Sequence, residues 1–129
     1  LKDKPQIHLE RWTVNLFLIN SLGWILYLTG YEFLFRGVLL ITCYNHLGFW
    51  NAVAINLAIY SAIHMVNGSG EAIGALFFGL VVCLLTLYTG TILISVILHI
   101  VLAVSTDFFA IRFRQDIKFV INPGKIVKP

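Results

Sequence analysis

The sequence predicts an all-α fold: a multi-pass transmembrane helical bundle with about four spanning helices and an N-terminal interfacial helical segment. Three observations carry that expectation. The 129 residues are 59% hydrophobic and 12% charged, with a mean hydropathy of +0.88, a balance foreign to a soluble domain of this size. Apolar stretches run over 12–47, 50–65, 72–88 and 92–110, and Gly, Asn, Ser or Thr punctuates the junctions. These runs are too long for strands, lack period-two alternation and carry Leu, Ile and Ala rather than dense β-branched segments.

The first stretch exceeds the roughly 20 residues that one upright crossing needs. Asn15, Asn20 and Ser21 lie in its first half, while Trp24 and Tyr27 mark an inner headgroup region and Tyr44 and Trp50 an outer one. The crossing is therefore expected over 24–46, with 11–23 interfacial or protruding and Gly30 a point of bending. The three later runs are each one crossing long. One membrane domain over 1–129 follows, made of a basic, partly interfacial segment 1–23, a core 24–112 and a basic tail 113–129. Neither an internal repeat nor a cleaved signal peptide is evident, and a chain that starts at Leu1 is expected to be a segment of a longer protein.

Of the nine Lys and Arg residues, only Arg36 lies inside a span. Lys2, Lys4 and Arg11 precede the first span, and Arg112, Arg114, Lys118, Lys125 and Lys128 follow the last. Four spans put both termini on one side, and the positive-inside rule makes that side cytoplasmic, in a cytoplasmic (plasma) membrane. The net charge of +3 thus serves topology and contact with membrane lipids. A nucleic-acid partner is excluded, because no basic stripe with base-stacking aromatics exists. Cys43 and Cys83 fall in apolar runs without a ligand-spaced partner and read as small buried hydrophobes.

Ionisable residues inside apolar spans are costly and mark function by default. Here they are Glu32, Arg36, His64, Glu71, His99 and Asp107. Counting at about 1.5 Å per residue from the outer turns puts Glu32, His64, Glu71 and Asp107 roughly 21 to 26 Å deep, and Arg36 and His99 roughly 12 to 15 Å deep. Helices from all four runs thereby bring carboxylates and imidazoles toward one zone. Glu32 and Arg36 are four apart, on one helix face, and can pair.

A carboxylate beside a neutral imidazole can hold and deprotonate water, and a second imidazole can donate to a developing oxyanion. Together they suit peptide hydrolysis without a covalent intermediate. Ser61 lacks the Gly-flanked setting of a nucleophile. Metal binding is a competing use of the same groups: two His with one or two carboxylates make an open zinc site, although no His-Glu-x-x-His helix is present. Purely structural uses also exist. Arg36 neutralises Glu32, His64 and His99 bond helix to helix, Glu71 complements a helix N-terminus, and Asp107 pairs with Arg112 or Arg114.

With those residues in view, the chain resembles the CAAX-protease and bacteriocin-processing (CPBP, or Abi) family of intramembrane endopeptidases. The family's Glu-Glu-x-x-x-Arg motif is matched by Tyr31-Glu32-x-x-x-Arg36 followed by Gly37, and its Phe-x-x-x-His by Tyr60-Ser-Ala-Ile-His64. Its His-x-x-x-Asn or Asp appears as His99 with Ala103 at the partner position. The stretches Glu71–Gly79 and Leu87–Thr91 also have the family's look, so the likeness spans 24–109. The resemblance implies that the first Glu and second-motif His activate water while the third-motif His and Asn form the oxyanion hole. Tyr31 and Ala103 replace two of those four side chains. A divergent branch is expected, with Glu71 or Glu32 replacing the lost base, Asp107 the lost Asn, and Arg36 orienting Glu32. The substrate would be a membrane-anchored or membrane-proximal peptide or protein. The alternative is a catalytically inactive relative that binds a partner, as in bacteriocin immunity.

Overall fold

The computed structural model describes residues 11–113 and 117–120. The tail cations Lys2, Lys4, Arg114, Lys125 and Lys128 lie outside the described residues. The order is β1 (Arg11–Thr13), α1 (Val14–Glu32), a π-helical segment (Phe33–Leu40), α2 (Ile41–Leu47), α3 (Phe49–His64), a 3-10 turn (Met65–Asn67), α4 (Ser69–Thr89), α5 (Leu93–Phe113) and β2 (Lys118–Val120). Four helical runs are long and apolar enough to cross a membrane: Val14–Leu47, Phe49–Asn67, Ser69–Thr89 and Leu93–Phe113. The all-α multi-pass architecture is therefore present.

Its breaks fall where backbone chemistry demands them. Gly48 takes φ 79° and Gly90 φ 68°, a left-handed backbone that closes α2 and α4 at little steric cost. The Thr13 hydroxyl accepts from the Leu16 amide at 3.2 Å and caps α1. From Val14 to Leu47 the helix is unbroken for 34 residues, about 51 Å if wholly α-helical, against a hydrocarbon core of about 30 Å. Gly30 lies within α1, and the irregularity comes three residues later, in the π-helical segment.

The expectation of a helical segment from residue 11 needs one correction. Arg11–Thr13 pairs in parallel with Lys118–Val120, a short ladder between distant ends that local periodicity carries no sign of.

The chain divides into two compact units. The unit Leu28–His99 holds the π-helical segment, α2, α3, α4 and the start of α5. On α4 the buried residues Ala72, Ala75, Gly79, Val82, Cys83 and Thr86 fall on one helix face, rich in small residues of the kind that let membrane helices approach closely. At Gly79 an added Cβ would stand 3.0 Å from Leu57 Cδ2 and 3.1 Å from Tyr60 Cδ1 on α3. Gly79→Val is expected to cost about 1–3 kcal/mol by overpacking, measured as a lower thermal midpoint in detergent.

Buried Asn56 on α3 adds a polar tie. Its Nδ2 donates to the Phe35 carbonyl at 2.7 Å, and its Oδ1 accepts from the Cys83 thiol at 3.1 Å. A wide π turn disturbs the regular i to i−4 ladder, and backbone polar groups in hydrocarbon need partners. Asn56→Ala strands both neighbours and is expected to cost about 1–2 kcal/mol, again read from the melting midpoint. Cys83 is buried, Cys43 half-buried, and both are free thiols.

The other unit comprises the segments 1–27 and 100–129. Its core packs Trp12 with Ala110, Ile111 and Ile117, supported by Leu16 and Phe17.

Candidate active site

Glu32 ends α1, and Arg36 lies one turn on, inside the π-helical segment. Both side chains have 0% exposure, with Arg36 Nη1 at 3.3 Å from Glu32 Oε1. Taking either charge out of water alone would cost several kcal/mol, so each requires the other. The guanidinium carbon also sits 4.2 Å from the centre of the Tyr60 ring, a cation–π contact made stronger by desolvation. Glu32 Oε2 and Arg36 Nε and Nη2 are buried without a hydrogen-bond partner among the described residues.

His99 on α5 brings Nδ1 to 2.6 Å from Glu32 Oε1. The ion-paired carboxylate is an acceptor only, so the hydrogen in this bond belongs to His99 Nδ1. In its neutral form the ring then presents a lone pair at Nε2. His64, the last residue of α3, places Nδ1 at 2.9 Å from the Tyr60 carbonyl oxygen. A carbonyl can only accept, so the same tautomer follows and Nε2 again carries the lone pair. In the neutral form, both imidazoles therefore keep Nδ1–H in a bond and Nε2 as the acceptor.

Two phenol rings sit against both histidines. Tyr31 lies 6.5 Å from the His64 ring and 6.0 Å from the His99 ring, at 85° and 81°. Tyr60 lies 4.6 Å from His64 and 6.3 Å from His99. Phe78 covers His99 at 5.1 Å, and Tyr31 stacks on Phe35 at 4.4 Å. The two imidazoles therefore lie against the same pair of phenol rings.

The structure joins Glu32 to Arg36 and His99 and sets His64 and His99 against the same two rings, Tyr31 and Tyr60. The depth count put Glu32 and His99 at different levels, whereas their side chains are bonded. A π-helical segment lies between Glu32 and the outer turn, and its wider turns advance less along the axis than the count assumed. Glu71 is exposed in the first turn of α4, where an acid complements the helix dipole. Asp107 is 3% exposed and accepts from Asn20 Nδ2 at 2.9 Å and Trp24 Nε1 at 2.6 Å. These contacts lie within the unit of the flanking segments. Arg112, one of the expected partners of Asp107, is exposed, and Arg114 lies outside the described residues.

Sequence reading missed Asn20 and Trp24 as donors to Asp107, and it missed Tyr31 as a ring between the imidazoles. A signal existed for the first pair: two polar-tipped residues four apart on one helix face of an apolar run. Among the described residues, no three of His, Cys, Asp and Glu gather in a way that could hold a metal ion. Only Glu32 and His99, of the groups foreseen for zinc, are in direct contact.

Residues 10–105 match the family described as type II CAAX prenyl endopeptidase, Rce1-like. The matched interval is about three quarters of the chain and contains all three motif helices with Glu32, His64 and His99. Comparison with curated proteins and with solved structures gave no match. On the family match, with four apolar spans and the motif residues in one setting, the chain belongs to the Rce1-like family of type II CAAX prenyl endopeptidases and is an integral membrane protein.

Proposed function

We propose that this protein is an intramembrane endopeptidase that hydrolyses a membrane-anchored or membrane-proximal peptide with water activated by the Glu32–His99 pair and His64. The observation that carries this reading is the 2.6 Å bond between His99 Nδ1 and Glu32. A buried carboxylate fixes the imidazole tautomer and offsets the charge the ring acquires when Nε2 takes a proton. Arg36 holds Glu32 ionised and oriented. His64, with its Nδ1–H committed to Tyr60, offers a second Nε2 toward the water or the leaving amine.

The chemistry closes without a covalent enzyme intermediate. Water gives a proton to Nε2 as its oxygen bonds to the carbonyl carbon, and the carbonyl π pair moves to oxygen. The carbon–nitrogen bond then breaks as the amine takes the proton from the imidazolium. Termini on the cytoplasmic side, favoured by the basic ends of the chain, would put the substrate on the cytoplasmic leaflet.

Purified protein in liposomes tests this reading with membrane-tethered peptides, prenylated at a C-terminal Cys-Ala-Ala-X sequence or lipidated elsewhere, and products read by mass spectrometry. Wild type is expected to cleave and His64→Ala to lose cleavage while remaining inserted and helical. Retained turnover in His64→Ala would sink the assignment. A second reading, an inactive partner-binding relative, is favoured by Tyr31 and Ala103 at positions where the family carries Glu and Asn. It predicts no cleavage of any peptide and an unchanged biological effect in Glu71→Gln and His99→Ala.

A further inference from the structure

Glu32 is the last residue before the π-helical segment and Arg36 lies inside it, so the relation between the two depends on the form this segment takes. A regular α-helix over 33–40 would satisfy the same backbone groups locally, and π turns are rare and cluster at functional sites. A contact from outside the helix is needed to select the wider turn. Buried Asn56 on α3 supplies one at the residue just before Arg36. The Phe35 carbonyl can only accept, so Asn56 Nδ2 faces it at 2.7 Å, and the Cys83 thiol donates to Oδ1 at 3.1 Å. Two partners therefore fix both ends of the amide.

The rest of that α3 face belongs to the site. Asn56, Tyr60 and His64 recur every fourth residue and share one side of the helix. Tyr60 lies under the Arg36 guanidinium at 4.2 Å, and His64 ends the helix. Phe35, whose carbonyl Asn56 holds, stacks its ring on Tyr31 at 4.4 Å and meets Tyr60 at 5.8 Å, the two rings that stand against both imidazoles. Return of the segment to an α-helix would turn Arg36 relative to Glu32 and carry the guanidinium off the Tyr60 ring. Resting on the peptidase reading, we propose that Asn56 is a positioning residue: by holding the Phe35 carbonyl it keeps the segment Phe33–Leu40 π-helical and sets the Glu32–Arg36 pair in register with His64 and His99.

The test compares Asn56→Leu, which is near in volume but makes no hydrogen bond, with Thr86→Val. The second removes a different buried bond, the 2.7 Å contact between the Thr86 and Ser95 hydroxyls. Both variants are expected to melt below wild type. In liposomes held below both midpoints, only Asn56→Leu is expected to lower kcat, about 10–10²-fold as for a misplaced catalytic group, with KM little altered. Only Asn56→Leu is expected to shift the proton and nitrogen-15 signals of the His99 Nδ1–H that Glu32 accepts. If Asn56→Leu does not fold, Asn56→Ala carries the same comparison. Wild-type kcat and an unmoved His99 signal in the folded Asn56 variant would overturn the positioning role and leave the peptidase reading standing. Equal losses in Thr86→Val would mark a general loosening of the bundle and overturn it too. A wild-type protein that cleaves no peptide would remove the peptidase reading, and the His99 signal, which needs no turnover, would still decide whether Asn56 sets the pair.

Discussion

Arg36→Met is expected to destabilise the protein by about 3–5 kcal/mol, because it strands the Glu32 carboxylate at 0% exposure inside the bundle. The guanidinium also loses its place over the Tyr60 ring, so the aromatic packing beneath His64 loosens with it. The double substitution Glu32→Gln/Arg36→Met removes both charges and keeps approximate volume, and most of the lost stability should return. Activity should not, since a neutral amide in place of the Glu32 carboxylate no longer supports the imidazolium of His99. Thermal unfolding in detergent, with cleavage measured on the same preparations, separates the two effects. A double variant as unstable as Arg36→Met would mean that the pair is not what Arg36 contributes.

A large catalytic effect, alongside the loss expected at His64, is also expected at His99. His99→Ala should lower kcat about 10²–10⁴-fold, the range for a general base together with the charge support behind it, while the protein remains folded. His99 is part-exposed, with 13% side-chain exposure against 0% for Glu32, so its loss opens no deep cavity. Glu32 retains Arg36 as its partner in this variant, which is why stability and rate should part company. Turnover near the wild-type rate would move the base to His64 alone. Single-turnover rates on a lipidated peptide supply the measurement.

Much of this was legible in the sequence because membrane spans obey two simple constraints, length and hydropathy. The turns at Gly48 and Gly90 were visible as punctuation, and the Glu32–Arg36 pair as an i, i+4 spacing. What escaped were properties that arise between helices. Residue counting assumed one rise per residue and so separated Glu32 from His99, and the π-helical segment at Phe33–Leu40 is an irregularity that composition does not announce. Asp107 read as a candidate for the oxyanion hole, yet Asn20 and Trp24 give it two donors. Glu71 read as a candidate base from its depth, but depth along a helix says nothing of the direction a side chain takes, and Glu71 is exposed. The parallel pairing of Arg11–Thr13 with Lys118–Val120 joins segments over a hundred residues apart, beyond the reach of any local pattern.

The most direct measurement is the protonation of the two imidazoles by nitrogen-15 NMR of histidine-labelled protein in lipid bilayers, with signals assigned by single substitution. At neutral pH, His99 is predicted to carry its hydrogen on Nδ1 in a strong bond to Glu32, with Nε2 bare, and His64 to show the same tautomer. A hydrogen on His99 Nε2 with a bare Nδ1 would make Glu32 the donor, leave the ring no lone pair for water, and contradict the mechanism at its base.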